Sequence, residues 1–158
     1  MDAAVTHEPW YTPIEFISTT GLLGSQGTNF INNRVESTDG NAFGGAIFND
    51  VAADEKDNMT FNGSTVFSGN QETSGKGDTY AKGGAIYNKG NMTFNGDTTF
   101  SNNFANGQLN DIYNEAGGTM NFNGVVTFGE KSVGELSPHG VSSDSTIRIV
   151  GGRVYSGQ

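Results

Sequence analysis

The chain is 158 residues long and carries 17 acidic against 8 basic residues, a formal net charge of −9. That balance excludes nucleic acid and anionic membrane surfaces as partners, because both reward clustered Lys and Arg. The lack of cysteine excludes a disulfide framework and a thiolate metal centre, and 24 Gly with only 16% charged residues point to a chain built on turns.

In chain order, residues 1–18 lack the basic-then-apolar pattern of a secretory leader and are read as an N-terminal cap or a segment added by cloning. Trp10, Tyr11 and Phe16 are candidates to cover the open end of a core. No run approaches the ~20 apolar residues of a membrane-spanning helix, and the chain is read as a piece of something larger.

Residues 19–157 are dominated by repetition. TTGLLGSQGTNFINN (19–33) reads as half a coil. Three tandem copies follow: GGAIFNDVAADEKDNMTFNGSTVFSGN (44–70), GGAIYNKGNMTFNGDTTFSNN (83–103) and NDIYNEAGGTMNFNGVVTFGE (110–130). NMTFNG at 58–63 returns unchanged at 91–96 and as TMNFNG at 119–124, and the copies differ by insertions, so a fixed core carries variable loops. Within each copy apolar and polar letters alternate over three to five residues between Gly or Asn-Gly turns, which predicts short strands.

The repetition predicts an all-β, right-handed single-stranded parallel β-helix of about four to five coils, full near 43–70, 82–103 and 109–130 with a terminal rung near 145–156. Coils ~4.8 Å apart place like on like, in inward columns of Ile47, Ile86 and Ile112, of Phe61, Phe94 and Phe122, and of Phe67, Phe100 and Phe128, three strands to a copy. Asn62-Gly63, Asn95-Gly96 and Asn123-Gly124 are expected at corners needing positive φ, with the three asparagines free to form an amide ladder; a hairpin meander is the competing reading. Phe48, Tyr87 and Tyr113 alternate with the inward isoleucines and form a candidate exposed aromatic patch, unless inserted loops fold over them.

Catalytic chemistry finds little support. The acidic residues Asp50, Asp54, Glu55 and Asp57 lie in an insertion off the recurring strand positions, which favours a solvated loop over a catalytic pair or a calcium site. His7 and His139 fall outside the copies, and LGSQG (23–27) has Leu where a nucleophile elbow needs Gly. No enzyme activity, metal or cofactor is expected.

GGAI at 44–47 and 83–86, with Phe-x-x-Asn at 30–33, 67–70 and 100–103, resembles the repeat pair of the polymorphic outer membrane proteins of chlamydiae and of related bacterial autotransporter adhesin passengers. The resemblance covers roughly residues 28–130 and implies a cell-surface, outer membrane or secreted passenger that adheres to a host cell-surface protein or glycan. Its membrane link would be a C-terminal β-barrel absent from these residues. The adhesion motif would rest on Gly44, Gly45, Ala46, Ile47, Gly83, Gly84, Ala85, Ile86, Phe67, Asn70, Phe100 and Asn103, although a tight coil needs the same letters for shape alone. A spacer or antigenic stalk without a ligand and a polysaccharide-degrading β-helix are the alternatives, and self-association through coil ends is a further expectation.

Overall fold

The computed structural model describes residues 5–7, 14–16, 20–21, 24–25, 27–50, 58–129, 146–149 and 154–156; at Asn58 and in the strands before residue 27 and after 129 the backbone alone is described. The strands stack as the rungs of a parallel β-helix. An Ile wall runs through Val5–His7, Ile47–Asn49, Ile86–Asn88 and Ile112–Asn114. A Met-Phe wall follows through Ile14–Phe16, Asn58–Phe61, Asn91–Phe94, Thr119–Phe122 and Thr146–Ile149. A Phe wall completes the three long faces through Thr28–Ile31, Thr65–Ser68, Thr98–Ser101, Val126–Phe128 and Val154–Ser156. Strands of successive coils pair in parallel, so the Asn-Gly corners join two walls and the hairpin reading falls.

Register puts each letter on its own kind. Met59, Met92 and Met120 align, as do Phe61, Phe94 and Phe122, and all six are buried while Thr60 and Thr93 point the other way, because strand side chains alternate between faces. The Met-Phe wall stacks Phe61 on Phe94 at 4.5 Å and Phe94 on Phe122 at 4.8 Å. On the facing wall Phe30, Phe67, Phe100 and Phe128 stack at 5.0, 5.1 and 5.3 Å. The two columns meet edge to face, as Phe67 does with Phe94 at 6.1 Å. Burial of each ring stabilises by roughly 1.5–3 kcal/mol, and each good aromatic pair adds ~0.5–1.5 kcal/mol.

Two expectations change. Three strands per copy were too few: a fourth wall stacks Arg34–Ser37, Gln71–Ser74 and Phe104–Ala105, where the sequence suggested only an insertion after residue 70. Its inward column is Val35, Glu72 and Ala105, too mixed to reveal a strand period. A two-rung wall of Ala42–Phe43 and Ala81–Lys82 leads into each Gly-Gly pair.

The second change concerns the Asn-Gly corners. Gly63, Gly96 and Gly124 do not adopt positive φ, whereas Gly44, Gly69 and Gly83 do. At Gly96 and Gly124 glycine is required by close approach: a Cβ on Gly96 would lie 2.4 Å from the Gly63 carbonyl oxygen, and one on Gly124 would lie 2.5 Å from that of Gly96. The expected Asn ladder is present, with Asn95 Nδ2 donating to Asn62 Oδ1 and Asn123 Nδ2 to Asn95 Oδ1, each at 2.7 Å.

Segment 1–18 supplies the strands Val5–His7 and Ile14–Phe16, paired with Ile47–Asn49 and Met59–Phe61. The side chains of Trp10, Tyr11 and Phe16, expected to cover the open end, lie outside the described residues, as do Asp54, Glu55, Asp57 and His139.

Candidate functional site

Both recurring motifs are built into the coil. In GGAI the first glycine, Gly44 or Gly83, has φ of +64° or +80°. The second is pressed between coils: a Cβ on Gly84 would lie 2.5 Å from Phe104 N and 2.6 Å from Asn110 O. Gly45 is equally enclosed by Gly84 and Gln71, and Ala46, Ile47, Ala85 and Ile86 are buried in the core.

In Phe-x-x-Asn the Phe is the buried ring of the Phe wall and the third residue turns the chain with positive φ: Asn32, Gly69 and Asn102 at +56°, +70° and +57°. The closing Asn then enters a second amide ladder. Asn33 Nδ2 donates to Asn70 Oδ1 and Asn70 Nδ2 to Asn103 Oδ1, both at 2.9 Å, and Asn103 Nδ2 donates to Asp111 Oδ1 at 2.9 Å. Asn70 and Asn103 also donate back to the carbonyls of Phe30 and Phe67. Gly44 to Ile47, Gly83 to Ile86, Phe67, Asn70, Phe100 and Asn103 are all buried, so these side chains act on the surface through the shape of the coil.

A third ladder went unread in the sequence. Asn49, Asn88 and Asn114 face inward two residues after each Ile, with Asn49 Nδ2 donating to Asn88 Oδ1 and Asn88 Nδ2 to Asn114 Oδ1 at 2.8 Å. The recurrence of Ile-aromatic-Asn in all three copies was the available signal.

The outward residue of that triplet supplies the aromatic face. Tyr87 stacks on Tyr113 at 5.6 Å, lies 5.4 Å from Phe48, and is capped by Phe43 at 4.5 Å in a nearly parallel stack. Tyr87, at the middle of the column, is only 6% exposed, because rings lie against it along the axis; Phe48 and Tyr113 remain half-buried. The patch is therefore partly accessible at its flanks and closed at its centre.

Phe43, which precedes a Gly-Gly pair, escaped the sequence reading, as did Lys82 at the aligned position. Lys82 Nζ sits 4.7 Å from the Tyr113 ring centre and 5.8 Å from that of Phe43, a cation–π contact.

Charges of alternating sign border the rings, from the residue after each Asn: Asp50, Lys89 and Glu115. Lys89 Nζ lies 3.4 Å from Asp50 Oδ1, and the Tyr87 hydroxyl donates to Glu115 Oε2 at 2.6 Å. That hydrogen bond holds the Glu115 carboxyl below the usual carboxylate range against its partial desolvation. Burial, reinforced by the same bond, pushes the Tyr87 phenol up. Phe48 and Tyr113, flanked by Lys82, Lys89, Asp50 and Glu115, offer apolar rings with polar handles, the composition of a protein- or glycan-contacting surface. Among the described residues no three His, Cys, Asp or Glu side chains converge on a metal site.

Parallel coils, buried amide ladders and insertions between fixed rungs define a β-solenoid repeat protein. Residues 64–89 match the Chlamydia polymorphic membrane protein (Chlamydia_PMP) repeat, a stretch running from a Phe-wall rung through Phe67-Ser68-Gly69-Asn70 and the second GGAI to the Ile wall. That family is one of outer membrane, surface-associated proteins, which supports a location at the cell surface. No curated protein and no solved structure matches the chain.

Proposed function

We propose that the protein is a surface-displayed passenger module that adheres to a host cell-surface protein or glycan through the aromatic flank of its Ile wall. The observation carrying this reading is the outward column of Phe48, Tyr87 and Tyr113, joined by Phe43 and bordered by both charge signs, on a solenoid whose repeat belongs to surface proteins. In this reading the module performs no chemistry and needs no cofactor; its rigid coils present a contact surface away from the cell. Titration of labelled protein onto cultured epithelial cells tests it, beside the Phe48→Ser/Tyr113→Ser variant, with circular dichroism establishing that both fold. Saturable binding by the parent that falls at least tenfold in the variant is expected.

The burial of both GGAI segments and of Phe67, Asn70, Phe100 and Asn103 favours a second reading, a spacer or antigenic stalk whose motifs serve only the coil. Folded parent protein that shows no saturable binding supports the spacer and overturns adhesion.

A further inference from the structure

The fourth wall holds a side chain that the fold does not provide for. Strand alternation and register put Val35, Glu72 and Ala105 in one inward column. Glu72 is 1% exposed, and neither carboxylate oxygen has a hydrogen-bond partner. Burying an ionised carboxylate without a counter-charge or donor is strongly unfavourable. Its neighbours in the column avoid the problem by being apolar.

No charged side chain on the packed elements compensates it. On the adjoining strand Arg34 and Glu36 flank Val35, are exposed, and contact each other at 3.2 Å. Phe104–Ala105 on the other side carries no charge. On the two-rung wall Ala42 and Ala81 are the buried residues, while Lys82 lies over Phe43 and Tyr113. Asp78, in the turn that follows, is exposed and accepts from Asn106. Asp111, the other buried carboxyl of the described residues, is engaged by Asn103.

We propose that Glu72 makes the solenoid proton-sensitive: the fourth wall is closed with the carboxyl neutral and loosens when it ionises, so acidification tightens the fold. Burial pushes the Glu72 carboxyl up to about 8 from its ordinary value of 4.5, in keeping with an environment offering nothing to the charged form. The folded chain therefore holds this proton more tightly than the unfolded chain does. The contribution is complete below the unfolded value and is lost as pH rises from there through the folded value, a window from about 4.5 to 8. The bonds released first are those at Glu72 itself: Asn106 N–H to Glu72 O at 2.9 Å, and the neighbouring Ser74 N–H to Asn106 Oδ1 at 2.7 Å.

Denaturant unfolding of the whole chain between pH 5 and 8.5, parent beside Glu72→Gln, tests the proposal. The parent's folding constant is expected to fall by up to about tenfold per pH unit, the slope of one proton held only in the folded state. Glu72→Gln is expected to lose that component, and the difference between the two curves excludes His7, His139 and every other group common to both. Parallel pH profiles for parent and variant overturn the proposal. If Glu72→Gln does not fold, carbon-13 NMR of the side-chain carboxyl in the folded parent decides: a midpoint near 8 upholds it, and one in the ordinary carboxylate range overturns it.

Discussion

Asn70 illustrates how much of this fold rests on single amides. Its side chain accepts from Asn33, donates to Asn103 and to the Phe30 carbonyl, and is fully buried. Asn70→Ala strands buried partners on both neighbouring coils and is expected to cost about 3 kcal/mol by urea denaturation. Asn62→Ala, in the exposed ladder, is expected to stay within about 0.5 kcal/mol. A similar contrast separates two glycines. Gly84→Ala forces a methyl against backbone atoms of the next coil and is expected to cost more than about 3 kcal/mol. Gly107→Ala meets nothing within 4 Å and bears only the left-handed conformation at φ +76°, about 1–2 kcal/mol. Asp111 accounts for the third copy's departure from GGAI: no Asn follows Phe128 to continue the ladder, and its carboxylate receives the Asn103 amide instead.

Among the elements, the outward face of the Ile wall couples ring stacking to a titrating pair. Tyr87→Phe keeps the stack and removes the hydrogen bond to Glu115, so the Glu115 carboxyl is expected to return toward the ordinary carboxylate range in an NMR titration. Because its folded value is the lower one, the stability from this bond is present above the unfolded carboxylate value and is lost as pH falls through the folded value. That sign is opposite to the one at Glu72. The three long walls were legible because Ile, Met and Phe recur at the same inward positions in every copy; on the Met-Phe and Phe walls they alternate with mostly polar outward residues. The fourth was not, because Glu72 and Ser74 face inward and Gln71 and Thr73 outward, leaving no polarity contrast to read. At the candidate site Phe48, Tyr87 and Tyr113 followed from alternation alone. Phe43 and Lys82 did not, since their place beside the rings depends on how the two-rung wall turns into the Ile wall.

The molecule as a whole is a stack in which each coil contacts mainly its neighbours, so stability is close to a sum over adjacent rungs. Deleting residues 47–85 joins Gly44-Gly45-Ala46 to Ile86-Tyr87-Asn88 and restores the motif, with Asn33 able to meet Asn103 in the shortened ladder. The shortened chain is expected to unfold cooperatively with a β-type circular dichroism spectrum and a lower Tm. A deletion one residue longer, 47–86, joins Ala46 directly to Tyr87, flips every inward side chain of the joined strand and is expected not to fold.

Stacking like on like also acts as a spelling rule. Identical amides, hydroxyls and rings one rung apart attract, whereas identical charges at ~4.8 Å repel by roughly 1 kcal/mol even in water. Repeating a wall therefore forbids repeating a charge on it, and the Ile wall obeys: where every copy places a charge, the letters run Asp50, Lys89, Glu115. The shortage of charged residues and the abundance of Asn, Thr and Ser are consequences of that rule, which any copy added to this chain would have to follow.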